Sequence, residues 1–245
     1  MGEILKLLVS VVNKAEALDS INGGADILDV KNPKEGSLGA NFPRVIKEVK
    51  EVTPKNLELS ATIGDLPNLP GTASLAALGA AVSGVDYIKV GLFGVKTVEE
   101  TIILMTEVVR AVREYNNDVK TIASGYADFR TVGCVNPLEL PIVAHKAGAD
   151  GVLVDVKIKD GQSNLFTFLT DEELKELVDK THSYHLLAAL AGSLDTTDIP
   201  RIHGLGADII GVRGAVCAKK DRVLGKLEQE KVAAFTKIIN KLSNR

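Results

Sequence analysis

Lysine and aspartate side chains recur at matching positions in four short apolar segments of this chain. Each segment begins at a glycine, and the four align without gaps over residues 24–31, 84–91, 148–155 and 206–213. Their ionisable residues at aligned positions include Asp29, Lys31, Lys89, Asp155 and Arg213. A buried strand face carries an acid and a base only where the two pair or react. The spacing therefore predicts a cluster of amines and carboxylates that can move protons and attack carbonyl carbon.

Residues two apart in a strand lie on the same face, so aligned positions in the four segments are expected to lie at the same height. In a parallel barrel, alternate strands supply each inward layer of four side chains. The expected lower layer contains Asp29, Lys89, Leu153 and Gly211, and the layer above it contains Lys31, Gly91, Asp155 and Arg213. The ionisable side chains would then surround a space left by the two glycines, at the end of the barrel where active sites lie.

This cluster has the groups that Schiff-base chemistry requires: an amine nucleophile, a second group to move protons, and an acid to assist dehydration. Burial and like charge lower the pKa of a lysine, whereas Asp29 and Asp155 raise it, and the sequence leaves the net shift open. The alternative is a structural network of salt bridges. It is disfavoured because apolar side chains would stabilise a barrel interior at least as well, and glycines would leave a void.

A phosphate site is expected beside the cluster, because barrels often hold phosphate with the loops after strands seven and eight. The first of these loops contains Gly192 and Ser193, and the second contains Gly211, Arg213 and Gly214. Glycines let backbone N–H groups approach an anion, and the serine hydroxyl and the guanidinium can donate further hydrogen bonds. The alternative is that these glycines only form turns.

Alternating strand and helix patterns along the chain predict the elements that position these residues. Strands are predicted near residues 5–12, 25–31, 57–62, 86–91, 119–125, 151–156, 185–191 and 208–213. Helices are predicted near residues 14–22, 42–52, 74–83, 97–115, 137–146, 171–181, 200 and 229–242. This alternation predicts a (β/α)8 TIM barrel that forms a single domain over residues 1–245. A doubly wound open sheet explains the fourfold repetition less well and would place a Gly-x-Gly-x-x-Gly turn after the first strand.

Local signals refine the element ends. Asn13 is predicted to cap the first helix, and Thr170 with Glu173 is predicted to form a capping box. Two stretches rich in glycine and proline, residues 32–39 and 64–71, are predicted to be loops.

Composition excludes several classes of function. A net charge of −3 gives no electrostatic reason to bind nucleic acid or an anionic membrane. An aromatic content of 4% without tryptophan argues against base stacking. With no leader and no long apolar run, a cytoplasmic protein is expected. Cys134 and Cys217 are too few for a disulfide framework or a metal cluster, so neither a metal nor another cofactor is expected.

Over nearly its whole length, the sequence resembles the (5-formylfuran-3-yl)methyl phosphate synthase family of methanofuran biosynthesis. The longest and most specific match is residues 29–43, which read Asp-Val-Lys-Asn-Pro-Lys-Glu-Gly-Ser-Leu-Gly-Ala-Asn-Phe-Pro. Shorter matches lie at residues 86–91, 158–161, 191–193 and 211–215. The resemblance implies a barrel enzyme that condenses two glyceraldehyde 3-phosphate molecules into a phosphorylated furan aldehyde, with release of phosphate and water.

Carried onto the matching positions, the resemblance implies that Lys31 is the Schiff-base lysine and Lys89 the proton acceptor. It implies further catalytic roles for Asp29, Asp155 and Lys159. The formation of a homo-oligomer is left open. Two other functions are also open: a Schiff-base aldolase that acts on sugar phosphates, and a barrel that binds phosphate metabolites without catalysis.

Overall fold

The structure, a computed structural model, describes residues 5–242, and its strands close into a barrel. Each strand pairs in parallel with the next in sequence, and the last pairs with the first. The strands are Lys6–Val11 (β1), Ile27–Val30 (β2), Glu58–Pro67 (β3), Tyr87–Gly94 (β4), Lys120–Tyr126 (β5), Gly151–Asp155 (β6), Leu187–Leu190 (β7) and Ile209–Val212 (β8). Helices follow the strands, so the prediction of a (β/α)8 barrel is confirmed.

The helices form the outer layer of the barrel. They are Lys14–Asn22 (α1), Pro43–Val52 (α2), Pro70–Val82 (α3), Val98–Tyr115 (α4), Phe129–Val132 (α5), Leu140–Ala147 (α6), Leu165–Phe168 (α7), Asp171–Ser183 (α8), Ile199–Gly204 (α9) and Gln229–Leu242 (α10). Short 3-10 turns occur at Pro137–Glu139, Gly214–Val216 and Ala218–Lys220. Between residues 5 and 242, no helix is long and apolar enough to cross a membrane.

Alternation of side chains along the strands separates two apolar regions. Leu28 and Val30 of β2 belong to the large core between the strands and the helices, whereas Ile27 belongs to a second cluster inside the barrel. The inner cluster consists of Leu8, Ile27, Tyr87, Ile122, Leu153, Ala189 and Ile209. Two residues beyond Ile27, the inward position is occupied by Asp29, so the barrel interior changes from apolar to charged toward its carboxyl-terminal end.

A repeated hydrogen-bonded joint explains why the four segments share a glycine and an aspartate. Their glycines have φ between +72° and +88°, a region that other residues rarely adopt. The aspartate two residues after each glycine donates its backbone N–H to the carbonyl of a residue in the preceding strand. Its carboxylate accepts the backbone N–H of the same residue. The pairs are Asp26 with Leu7, Asp86 with Leu59, Asp150 with Thr121, and Asp208 with Ala188.

The same aspartates also bind the strand that follows them around the barrel. Their backbone carbonyls accept N–H groups from Glu58, Lys120, Leu187 and Lys6 in turn. The last of these bonds runs from Lys6 of β1 to Asp208 beside β8, where the barrel closes. Each joint therefore holds three neighbouring strands in register.

One predicted loop is partly wrong. The sequence predicts a loop over residues 64–71, but β3 continues to Pro67 and pairs with β4 through Asp65–Gly91 and Pro67–Gly94. The β3–β4 pairing contains two register shifts, between Thr62 and Pro67, which accommodate Gly64 and Pro67 in the strand. The local turn signal is overridden because β4 runs on to Gly94 and provides a hydrogen-bonding partner.

Other local predictions are confirmed. The Asn13 side chain accepts the Glu16 N–H at the start of α1, and Thr170 forms a capping box with Glu173 at the start of α8. Residues 32–39 contain neither helix nor strand, as predicted. The short helices α5 and α7 are not predicted, because four residues are too few to show an apolar period.

Asp208→Ala is expected to lower the free energy of unfolding by about 1–3 kcal/mol, because the buried N–H of Ala188 loses its acceptor. Urea unfolding measures this as a lower midpoint with an unchanged m-value. Glu114→Ala, at an exposed site on α4, is the control and should stay within about 0.5 kcal/mol of the wild type. Equal midpoints for the two variants would contradict the structural role of the joint.

Candidate active site

The carboxyl-terminal ends of the strands surround a cavity of about 620 Å³. Four of the predicted catalytic residues line it: Lys31, Lys89, Asp155 and Lys159. All of the predicted phosphate ligands line the same cavity: Gly192, Ser193, Gly211, Arg213 and Gly214. Asp29 lies beneath the lining, completely buried and in contact with Lys89. The structure therefore brings the residues of the predicted site to one end of the barrel.

Lys89 and Asp29 form a buried ion pair, with 2.7 Å between Lys89 Nζ and Asp29 Oδ2. The Ser10 hydroxyl donates to the same carboxylate oxygen at 2.9 Å. Burial by itself raises the pKa of Asp29, but the positive charges of Lys89 and Lys31 outweigh it and hold this pKa below its usual value. Asp29 is therefore a carboxylate, and its Oδ1 is left without a hydrogen-bond partner among the described residues.

Asp155 and Lys159 form a second pair at the end of β6, with 2.5 Å between Lys159 Nζ and Asp155 Oδ1. The Ser37 hydroxyl lies 3.2 Å from the other carboxylate oxygen, and the Val156 N–H donates to Oδ1. Burial raises the pKa of Asp155, but Lys159 and Lys31 outweigh it and hold the pKa far below its usual value. Asp155 is therefore a carboxylate at neutral pH.

Lys31 interacts electrostatically with both pairs but contacts neither carboxylate closely enough to form an ion pair. Within residues 5–242, its Nζ has no ion pair or hydrogen bond, although only 6% of the residue is exposed. The pKa of Lys31 is lowered to about 7, mainly by burial; Lys89 and Arg222 also lower it, while Asp155 and Asp29 raise it. A substantial fraction of this amine is therefore neutral and nucleophilic near neutral pH.

The loop after β7 approaches the cavity with strained backbone. Gly192 has φ +112°, and Ser193 has φ +56° although it is not a glycine. A Cβ added at Gly192 would lie 2.9 Å from the Val156 side chain, so this position requires glycine for space as well as for conformation. The loop brings its backbone and the Ser193 side chain to the cavity, as an anion site requires.

The Arg213 guanidinium is bound to the protein. Its Nη1 lies 2.6 Å from Glu16 Oε2 and also donates to the Ser10 carbonyl, while its Nη2 lies 3.3 Å from Glu16 Oε1. Its Nε donates to the backbone carbonyl of Arg222 at 3.0 Å. Arg213 is thus at the predicted position, but a buried bidentate pair with α1 uses most of its donors.

Only one of the two predicted glycine spaces is part of the cavity. Gly211 lines the cavity, whereas a Cβ added at Gly91 would lie 2.5 Å from the Gly64 carbonyl oxygen and 2.7 Å from the Tyr126 hydroxyl. The backbone of β3 and the tyrosine therefore occupy the volume predicted to be open. The expectation of a space at Gly91 is wrong, because it considered one strand and not its neighbours.

Sequence reasoning missed two residues of the site, Ser37 and Arg222. Ser37 lies in the predicted loop over residues 32–39, and its hydroxyl contacts Asp155 and the Val156 carbonyl. Arg222 follows β8 in an irregular segment and lines the cavity. The family match at residues 29–43 includes Ser37 and was a reason to consider it a site residue. No periodic pattern in the sequence indicates that Arg222 lies at the carboxyl-terminal end of the barrel.

Solved structures with a similar fold are barrel proteins of low sequence identity. KGPDC from Streptococcus mutans superposes with a TM-score of 0.68 and 13% identity, covering 98% of this chain and 100% of that chain. Phosphoribosyl anthranilate isomerase from Thermus thermophilus gives a TM-score of 0.64 and 14% identity, covering 97% and 100%. At these identities the likeness supports the fold alone.

Closer relatives are named (5-formylfuran-3-yl)methyl phosphate synthase. The protein of Methanosarcina mazei is 56% identical, covering 87% of this chain and 91% of its own. That of Methanocaldococcus jannaschii is 54% identical, covering 92% and 96%, and that of Methanobrevibacter smithii is 50% identical, covering 95% and 98%. The family model described as 4-HFC-P synthase matches residues 7–236. The chain therefore belongs to the (5-formylfuran-3-yl)methyl phosphate synthase family.

Proposed function

We propose that this protein is a carbon–oxygen lyase that condenses two molecules of glyceraldehyde 3-phosphate into (5-formylfuran-3-yl)methyl phosphate through a Schiff base on Lys31. The supporting observation is the buried Lys31 amine, which has no contacting carboxylate and a pKa lowered to about 7. The names of the relatives supply the product. Two trioses give this product with one phosphate and two waters, so the atoms balance without an oxidant or a reductant.

Lys31 is the best nucleophile among the lysines of the cavity. Lys89, Lys159 and Lys220 each form an ion pair with a carboxylate, whereas Lys31 forms none among the described residues. The neutral Lys31 amine attacks the aldehyde carbon of one triose, and loss of water leaves an iminium on its nitrogen. The positive iminium then acidifies the neighbouring C–H of the triose.

The Lys89–Asp29 pair is assigned to proton removal. Lys89 is near enough to Lys31 to act on it electrostatically, so it lies close to the C–H that the iminium acidifies. Once neutral, the Lys89 amine can accept the carbon-bound proton of the triose, while Asp29, 2.7 Å away, holds that amine in position. The product of this step is an enamine on Lys31.

The Lys159–Asp155 pair is assigned to the eliminations. As the enamine returns its electron pair, the C–O bond to phosphate breaks and the phosphate leaves with the bonding electrons. The Lys159 ammonium, held by Asp155, can stabilise this anion or protonate a leaving hydroxyl. The remaining three-carbon unit is an enol, and its terminal carbon attacks the central carbonyl carbon of the second triose, once that triose has isomerised to its ketone. Two waters are lost as the ring forms, and hydrolysis of the iminium releases Lys31.

Borohydride added with glyceraldehyde 3-phosphate is expected to reduce an imine and add mass to a peptide that contains Lys31. Lys31→Ala should carry no label, and Lys31→Arg should be inactive because a guanidinium keeps the charge but forms no imine. Lys34→Ala, which removes an exposed lysine on the following loop, is the control and should label normally. Mass spectrometry of the digest locates the label, and a label on another lysine would contradict the assignment.

Product analysis separates the proposed synthase from its alternatives. Incubation with glyceraldehyde 3-phosphate should yield a furan chromophore together with inorganic phosphate. A sugar phosphate alone would identify an aldolase, and unchanged substrate would identify a binding protein. Lys31→Ala serves as the control for spontaneous decomposition of the triose.

The rate of imine trapping at low substrate concentration is expected to rise with pH and to level off above about pH 7, as Lys31 loses its proton. Lys89→Met should move the rise to higher pH, because Lys89 lowers the pKa of Lys31 and the unpaired Asp29 raises it. Asp155→Asn should move the rise to lower pH, because the Asp155 charge raises that pKa.

The control for these pH profiles is Lys157→Met. Lys157 is paired with Asp65 at 3.2 Å and does not line the cavity, so its removal should leave the profile in place. Shifts of the same sign in Lys89→Met and Asp155→Asn would show that Lys31 is not the titrating group.

A further inference from the structure

We propose that Arg222 binds a phosphate group of the triose substrate, using guanidinium donors that its protein contacts leave free. The substrate class rests on the proposed function, whereas the anion site itself rests on the contacts of Arg222. Neither the strand pattern nor the family resemblance pointed to this residue.

Arg222 is fixed from one side by the protein. Its Nη2 donates to the backbone carbonyls of Gly36 at 3.1 Å and Ser37 at 3.3 Å, in the loop that follows Lys31. Its own backbone carbonyl accepts the Arg213 Nε–H. These contacts hold the guanidinium at the wall of the cavity, and an immobilised guanidinium loses little further entropy when it binds an anion.

The other edge of the guanidinium has no protein partner. An arginine carries five N–H donors, and within residues 5–242 only those of Arg222 Nη2 have acceptors. The Nε–H and the Nη1–H groups are therefore available to a ligand. Two such parallel donors match two oxygens of one phosphate, which is the geometry in which arginine binds phosphate most strongly.

The charge balance of the cavity points to the same residue. Lys89 is paired with Asp29, Lys159 with Asp155, and Arg213 with Glu16, and Lys220, which also lines the cavity, is paired with Asp195 at 3.5 Å. Arg222 forms no ion pair among the described residues, and burial lowers its pKa, so its charge is held at a cost that an anionic ligand would reduce. Since Lys31 must be neutral to attack, Arg222 is, among the described residues, the cavity cation that has no carboxylate partner and can bind substrate charge.

The position of Arg222 indicates which part of the cavity the phosphate would occupy. Arg222 interacts electrostatically with Asp155, and it holds the carbonyl of Ser37, whose hydroxyl contacts the Asp155 carboxylate. A phosphate on the free guanidinium edge would thus lie beside the Asp155–Lys159 pair. The loop of Gly192 and Ser193 could then hold the phosphate of the other triose.

The test compares imine trapping with glyceraldehyde 3-phosphate and with glyceraldehyde, which lacks the phosphate. Arg222→Met is expected to reduce the preference for the phosphorylated aldehyde by about 10- to 100-fold, the loss typical of a charge-assisted hydrogen-bonded pair. A purely structural role for Arg222 would slow both aldehydes equally and leave the ratio unchanged. An unchanged ratio would therefore overturn the proposal.

Two further variants make this test independent of folding. Arg222→Lys keeps the charge but loses the paired donors, so its preference should fall by about 3- to 10-fold, and an unchanged ratio here would also overturn the proposal. Lys219→Met removes an exposed cation three residues away that does not line the cavity, and it should keep the wild-type ratio.

Titration with inorganic phosphate, monitored by isothermal calorimetry, measures the anion site without the reaction. It therefore separates failure of this proposal from failure of the proposed function. If the wild-type protein forms no imine with either aldehyde, the proposed function fails, and phosphate affinity still tests Arg222. Weaker phosphate binding in Arg222→Met and Arg222→Lys than in the wild type and Lys219→Met would support the site. Equal affinity in all four proteins would refute it.

Discussion

The proposed chemistry of this barrel depends on the burial of an amine, that of Lys31, which has no carboxylate in contact with it. A lysine in water is almost fully protonated at neutral pH, and a lysine in an ion pair is held in that state. Lys31 is in neither condition, because Asp29 and Asp155 are each engaged by another lysine and act on Lys31 only at longer range. The attraction that Asp29 and Asp155 exert on the Lys31 ammonium offsets part of the free-energy cost of burying that charge. The pKa of Lys31 is therefore lowered only to about 7.

The scaffold explains how this balance is maintained. An apolar cluster fills the amino-terminal half of the barrel interior, and buried polar or charged residues occupy the next inward position on β1, β2 and β4. Asp29 and Lys31 share the inward face of one strand and its end, so their separation is fixed by backbone geometry. Lys159 and Arg222, in contrast, come from loops, and hydrogen bonds to Asp155 and to two backbone carbonyls of the loop after β2 hold them in place. The strands thus set the position of the proposed nucleophile, while the loops supply groups around the cavity.

Sequence periodicity predicted the residues of the strands and failed for those whose position depends on long side chains or on loops. The period of two was enough to place Lys89 beside Asp29. It could not show that the Arg213 guanidinium would reach Glu16 on α1, because parity gives the direction of a Cβ atom and not the end point of a long side chain. It could not show that Tyr126 would fill the space at Gly91, since that contact joins two strands. The catalytic assignments within the lysine–aspartate cluster came from family resemblance, because residue types alone leave the roles of the amines and carboxylates interchangeable.

The glycine–aspartate joints have a consequence for the symmetry of the molecule. The bond from the Lys6 N–H to the Asp208 carbonyl closes the barrel with the same atoms that join the other quarters internally. No quarter is therefore distinguished by how it attaches to its neighbours, and a circularly permuted chain could form the same set of joints. The asymmetry of the enzyme lies in the residues beyond each joint, such as a lysine and an acid after Asp26 and an arginine after Asp208. A nearly fourfold framework thus carries a site that has no rotational symmetry, as the proposed use of two identical trioses in different roles requires.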